Sequence, residues 1–317
     1  MDRWDRAGRL AGYAAALAMT PYLVIKVSWV VGSLAGPTPT GTGLSTGEWV
    51  AINTATIGMA GVAIVMALAL VMPWGMRLPG PPLAFCAWVG TGFLVPMLPY
   101  AVLTSLVVTS TGDGGSADTG WAMPGWEAAL IQIGFVGMGV GLAVALPAYL
   151  RRRWPNALAG RLGDRERATA QSLGWAVPLG VAVAVVWVFW AAGGTAGLAE
   201  PGDLDRRLLA GVTGAWAVVA AAATWMVTKG RPGRLGRGGP MVLGWLGSGS
   251  LFAWSAWKLV LTAYVAVAGP AGGTPPIRLD VAIALHSAGV LAGAAMGWTL
   301  VRSRSPRLEP RRLHAQV

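Results

Sequence analysis

WLGSGSLFAWSAWKLVLTAYV, residues Trp245 to Val265, is the stretch that decides the fold. It is apolar and long enough to cross the roughly 30 Å hydrocarbon core of a bilayer, which takes about 20 helical residues. It carries one lysine, Lys258. A charge at that depth costs about 3 kcal/mol or more unless it snorkels to an interface or meets a partner. The stretch also has an echo: Trp245-Leu-Gly-Ser-Gly-Ser-Leu251 repeats Trp88-Val-Gly-Thr-Gly-Phe-Leu94 at an offset of 157 residues. A second match keeps the same order. Lys26-Val-Ser-Trp-Val-Val-Gly-Ser-Leu-Ala-Gly36 aligns with Trp187-Val-Phe-Trp-Ala-Ala-Gly-Gly-Thr-Ala-Gly197, with five of eleven positions identical at an offset of 161.

Working outward, eight apolar segments are predicted, near 10–34, 48–72, 83–108, 126–150, 173–194, 207–229, 241–268 and 280–302. The first is kept as a span because no small-residue cleavage site follows it and because it takes part in the duplication. The fold class is therefore all-α, a polytopic membrane protein of eight transmembrane helices. The echoes predict two four-helix repeats, and four helices per repeat is even, so both share one orientation about an axis along the membrane normal. The expected units are a first repeat over 1–150, an Arg-rich cytoplasmic linker over 151–172, a second repeat over 173–303 and a basic cytoplasmic tail over 304–317.

Composition agrees. The chain is 55% hydrophobic and only 12% charged, with 17 Trp, which is the membrane class. Its net charge of +11 is a matter of topology, with no nucleic-acid partner expected. Arg3, Arg6, Arg9, Arg77, Arg151–Arg153, Arg161, Arg165, Arg167, Lys229, Arg231, Arg234, Arg237 and the Arg302–Arg312 group fall on one side, 19 basic residues in all, against Arg206, Arg207 and Arg278 on the other. The positive-inside rule then predicts a plasma-membrane protein with both termini cytoplasmic. The outer loops, Gly36–Gly47 and Ser110–Gly125, are Gly-, Thr- and Pro-rich turns without strands. The lone Cys86 excludes an intrachain disulfide, and two histidines, His286 and His314, cannot form a pair of intramembrane haem ligands. With no Walker loop, metal-ligand cluster or dinucleotide fingerprint, no metal and no cofactor are expected.

Small residues mark helix contacts. Gly289, Gly293 and Gly297 form one stripe on the last helix, and His286 points the same way. Pro96 and Pro99 should kink the third helix and free carbonyls.

The candidate chemistry lies in the outer half. Lys26 is flanked by Tyr22 and Trp29, and Lys258 shares a face with Trp254, Ser255 and Thr262. Snorkelling explains either lysine by itself. A shared cavity would instead bring Lys26, Trp29, Asn53, Tyr100, Gln132, Trp254, Trp257, Lys258 and His286 together as substrate-binding residues. Glu48, Glu127 and Asp280 open helices at the outer face. They serve there as helix-terminal acids that complement the macrodipole, with Ser45-Thr-Gly-Glu48 a capping-box pattern. They are equally the candidate catalytic acids. At least one lysine is expected within salt-bridge reach of one of them.

The pattern Pro21-Tyr22-Leu-Val-Ile-Lys26-Val-Ser-Trp29-Val-Val-Gly32, with Leu146-Pro-Ala-Tyr149-Leu-Arg-Arg-Arg153, resembles a group of actinobacterial multi-pass membrane proteins of unknown function, over about half the chain. A Trp-rich multi-pass chain without redox or metal residues is also similar in design to the membrane-integrated terpene cyclases. That resemblance implies an acid that protonates an isoprenoid and aromatic walls that hold the cation; only Glu48, Glu127 or Asp280 could supply the acid.

Three functions follow as expectations. The first is a membrane-embedded enzyme acting on a hydrophobic substrate, isoprenoids among them, by acid-initiated cyclisation in a Trp-lined pocket. The alternative is a permease or exporter of a small amphipathic or anionic molecule, which the doubled architecture and the lysines favour and the absence of mid-span acids disfavours. The third is a regulatory protein working through the basic loop. The partners expected are the lipid bilayer and a hydrophobic or amphipathic small molecule; the sequence leaves oligomeric state open.

Overall fold

The computed structural model describes residues 3–36, 44–111, 124–154, 160–162, 174–269 and 276–303. Most of the Gly-rich 36–47 and 110–125 loops, most of the 151–172 linker and the 304–317 tail, with His314, lie outside the described residues. The helices are α1 (Arg3–Ala35), α2 (Thr46–Val71), α3 (Gly80–Thr111), α4 (Gly125–Arg153), α5 (Ala176–Ala191), α6 (Leu204–Lys229), α7 (Gly238–Ala268) and α8 (Leu279–Arg302). A 3-10 turn, Pro73–Met76, follows α2. Seven of these helices are long and apolar enough to cross a membrane. The chain is a helical, multi-pass membrane protein. The fifth expected span is shorter than its apolar stretch: α5 has 16 residues, about 24 Å of helix at 1.5 Å per residue. It stops where Gly193 takes a φ of +98°, open to glycine and rarely to other residues.

Sequence chemistry sets the ends. Ser45 caps α2 and accepts from the Glu48 amide while the Glu48 carboxylate accepts from the Ser45 amide, so the capping box is made. Asp203 caps α6 by accepting from the Arg206 amide. At the other face the last turn of α4 does work that charge counting overlooks. Arg152 donates to the Leu70 carbonyl at 2.7 Å. Arg153 donates to the carbonyls of Gly75, Met76 and Leu78 and to the Tyr149 hydroxyl. These guanidinium groups satisfy carbonyls that the end of α2 and the turn leave unpaired.

Among the described residues, buried apolar side chains gather into two cores. One spans Ala15 to Tyr149 on α1–α4, with Tyr22, Leu70, Met138 and Leu142. The other spans Ala176 to Met296 on α5–α8, with Trp187, Trp190 and Leu251. Small residues let the backbones approach, as expected where no hydrophobic force acts between helices in lipid. A Cβ on Gly141 would lie 2.5 Å from that of Ala15, and one on Gly293 would lie 2.7 Å from the Phe252 amide. The α8 glycine stripe therefore faces α7, and Gly297 reaches Trp88 of α3.

The two echoing stretches meet. A Cβ on Gly92 would stand 2.3 Å from the backbone carbon of Gly249, its counterpart in the echo, and one on Gly249 would stand 2.6 Å from the Trp88 carbonyl oxygen. Trp88 donates its indole N–H to Ser248 at 3.1 Å and stacks on Phe252 with ring centroids 4.8 Å apart. Trp254 donates to the Phe93 carbonyl at 3.2 Å, within the turn that the Pro96 ring loosens. Thus α3 packs against α7, while it makes few contacts with its chain neighbours α2 and α4.

Gly92→Leu is expected to push α3 off α7 and destabilise the protein by about 1–3 kcal/mol or more, whereas Gly58→Leu, whose Cβ would meet nothing within 4 Å, is tolerated. Unfolding midpoints of the two variants in detergent micelles check this; equal midpoints would contradict it.

Candidate functional site

The loose seam between α2 and α3 is a cleft. Its volume is ≈ 630 Å³, and its walls come from five helices: Met19 and Tyr22 of α1, Thr56 to Met66 of α2, Phe85 to Met97 of α3, Phe135, Met138 and Leu142 of α4, and Trp254 and Trp257 of α7. That is the size of an ordinary small-molecule pocket, about 300–1,000 Å³. The lining is almost wholly apolar, rich in methionine and aromatic rings. Met59, Val62 and Phe85 line it and are also exposed, at 38%, 55% and 54%, so the cleft opens sideways between α2 and α3. Toward the start of α2 and the end of α7 the Tyr264 hydroxyl donates to Glu48 at 2.8 Å. This ties the two helices together above the cleft.

A polar cluster stands one helical turn beyond the cleft wall, toward the end of α1 and the start of α2. Lys26 lies four residues beyond Tyr22 on α1, and Asn53 lies three residues before Thr56 on α2, so each shares a face with a wall residue. The Lys26 ammonium donates to Asn53 Oδ1 at 2.9 Å and sits 4.0 Å from the ring centre of Trp29. Asn53 is 2% exposed and donates to the Trp49 carbonyl at 2.8 Å. Trp29 in turn donates its indole N–H to Glu127 at 3.2 Å and packs on Trp49. Four sequence candidates, Lys26, Trp29, Asn53 and Glu127, thus form one connected group.

The expectation of a single cavity is corrected. Lys258 belongs to a different group, beside Trp187 of α5 and His286 of α8, with its ammonium 4.9 Å from the Trp187 ring centre. Tyr100 lines neither place; its hydroxyl donates to Asp205 of α6 at 2.6–2.7 Å. Gln132 is exposed on α4 and turned away from the cleft lining. Trp254 and Trp257 do line the cleft.

The expected lysine–carboxylate ion pair is also corrected. Among the described residues no lysine lies within 4.0 Å of an acid; the pairs are Arg152–Asp5, Arg206–Asp203 and Arg278–Asp280. Trp29 bridges Lys26 to Glu127 in place of a direct contact. Glu48 is committed to its cap and to Tyr264, and Asp280 is exposed and paired with Arg278 at 2.9 Å. None of the three candidate acids lines the cleft. Among the described residues no group of three His, Cys, Asp or Glu gathers as metal ligands.

The methionine and phenylalanine lining was missed from sequence. Its signal, apolar residues on four different helices, is indistinguishable from core until the packing of α3 is known. Asn53→Leu removes the ammonium's oxygen partner and is expected to cost about 1–3 kcal/mol of stability. Gln132→Leu should stay within about 0.5 kcal/mol of wild type. Equilibrium unfolding in mixed micelles checks both, and the reverse order would contradict the placement of these side chains.

No protein-family model, curated protein or solved structure matches this chain.

Proposed function

We propose that the protein binds and moves an amphipathic molecule, with an anionic head and a hydrophobic tail, between the bilayer and its own outer half. The observation that carries this reading is the juxtaposition of the side-opening apolar cleft with the Lys26 group one turn above it. Lys26 has three N–H donors, and Asn53 takes one. The others can meet a phosphate or carboxylate oxygen.

Magnitudes decide which part of the ligand matters. A tail that leaves lipid for an apolar cleft gains almost nothing from the hydrophobic effect, because lipid is as apolar as the cleft. The tail therefore contributes shape and packing. A charge-assisted hydrogen bond from the ammonium contributes about 1.5–3 kcal/mol, and discrimination rests there.

Topology supports the same direction. We take both termini as cytoplasmic from the 19-to-3 basic split, with α5 as a short eighth span and the two halves as same-orientation repeats. The meeting of Gly92 with its counterpart Gly249 supports the repeat, since an axis along the normal between α3 and α7 brings equivalent residues face to face. On this assignment the Lys26 group lies toward the outer face of the plasma membrane.

A second reading, acid-initiated cyclisation of an isoprenoid, has one observation in its favour. Tyr22, Phe85, Phe93, Phe135, Trp254 and Trp257 give the cleft aromatic walls, and such faces stabilise a cation by about 0.5–2 kcal/mol each. Of the three candidate acids, Glu127 is the one tied to the cluster beside the cleft, through Trp29. The carboxylates' position outside the lining favours carriage over cyclisation.

The test uses purified protein in detergent with a polyprenyl phosphate and the corresponding alcohol, read by native mass spectrometry. The phosphate is expected to bind about 10–100-fold more tightly, following the hydrogen-bond energy above. Lys26→Met should erase that preference, and Gly58→Phe should weaken both ligands by filling the cleft. Equal binding of phosphate and alcohol, or binding indifferent to Gly58→Phe, would overturn the proposal. A cyclised product that disappears in Glu127→Gln would establish the second reading instead.

A further inference from the structure

The other lysine within an apolar helix, Lys258, has no counter-charge within 4.0 Å among the described residues. Lys258 lies ten residues before the end of α7 at Ala268, about 15 Å below the end of the helix. Among the described residues its ammonium has no acid within 4.0 Å and donates no hydrogen bond. It faces the Trp187 ring at 4.9 Å. A ring face offers a cation about 2 kcal/mol when desolvated. That is less than the several kcal/mol by which burial penalises an unpaired ion.

Other unpaired polar groups converge beside it. His286 is 3% exposed, and its Nδ1 is buried without a hydrogen-bond partner. Ser250 and Ser255 are 3% and 5% exposed. Serines in membrane helices usually return their hydroxyl to a carbonyl one turn back. Ser28 and Ser33 do so here, but Ser250 and Ser255 make no such bond among the described residues. All four side chains, with Trp187, line one small cavity of ≈ 20 Å³. That space holds one water-sized particle.

We infer that this cavity is a binding site for one monatomic anion of the halide class, held by the Lys258 ammonium with the Ser250 and Ser255 hydroxyls and the His286 ring. Charge separates the anion from a water. A water would satisfy hydrogen bonds but leave the ammonium uncompensated, whereas a halide satisfies the donors and neutralises the charge. The ≈ 20 Å³ volume excludes phosphate, carboxylates and any lipid head. The four polar side chains lie on α7 and α8, with Pro96 and Met97 of α3 closing one wall, and the site is independent of the cleft reading; Met97 and Trp254 line both cavities.

The experiment has two arms. In the first, the thermal unfolding midpoint of purified protein is measured against sodium chloride and sodium bromide, with sodium gluconate holding ionic strength constant. The midpoint should rise and saturate with either halide and stay flat in gluconate. Lys258→Met should weaken the apparent halide affinity at least about tenfold, the loss of one charge-assisted hydrogen bond. Lys26→Met should leave it unchanged, which separates this site from the lipid-head group. In the second arm, wild-type crystals grown in bromide should show an anomalous peak beside Lys258 Nζ. This arm decides the matter even if Lys258→Met fails to fold. A flat halide response, a response that survives Lys258→Met, or water density without anomalous signal would each overturn the inference.

Discussion

The backbone contact between Gly92 and Gly249 governs the rest of the structure. In lipid, helices are drawn together by close packing and interhelical hydrogen bonds, since the solvent is as apolar as the side chains. Two glycines at one crossing let α3 and α7 approach until a Cβ on either would collide with the other's main chain. Trp88 and Trp254 then lock the crossing with hydrogen bonds to Ser248 and to the Phe93 carbonyl. A helix has limited surface, and α3 devotes its small-residue face to α7. It is left with little contact to α2 and α4, and the space it vacates is the cleft.

Polar placement follows from the same economy of surface. Lys26 and Lys258 are each half-buried in one half of the molecule and neither lies within 4.0 Å of an acid, so each relies on aromatic faces and neutral oxygens. Lys26 has Asn53 and Trp29; Lys258 has Trp187 and an unfilled set of donors. The carboxylates sit at helix starts, where backbone amides and hydroxyl donors stabilise their charge without a lysine. The molecule thus keeps two cations whose hydrogen-bonding capacity is not exhausted by its own atoms. An ammonium beside an apolar cleft suits a lipid-like anion, and one in a water-sized cavity suits a bare anion.

Much of this was legible in the sequence. The apolar runs placed seven long helices to within a few residues at most ends, the capping box named the start of α2, and the α8 glycine stripe named a packing face. The Trp-Gly-Gly-Leu echo pointed to related stretches, and the packing of α3 on α7 brings them into contact. The grouping of site residues was less legible. Lys26, Trp29, Asn53 and Glu127 came together because helical spacing and depth are readable from a single chain. Gln132 and Tyr100 did not join them, because depth fixes a residue's height and leaves its direction around the helix to neighbour packing. The length of α5 was overestimated because hydropathy does not register the turn at Gly193 that ends the helix. The cleft was invisible because its walls are made of the same residues as a core.

The most direct test is a structure of the protein in lipid nanodiscs by electron cryomicroscopy, with a polyprenyl phosphate supplied. The account predicts elongated density entering between α2 and α3, lying along Met59, Phe93 and Trp257, with its head beside the Lys26 ammonium. Density lying elsewhere on the bundle, or α2 and α3 closed against each other with no cleft between them, would contradict it.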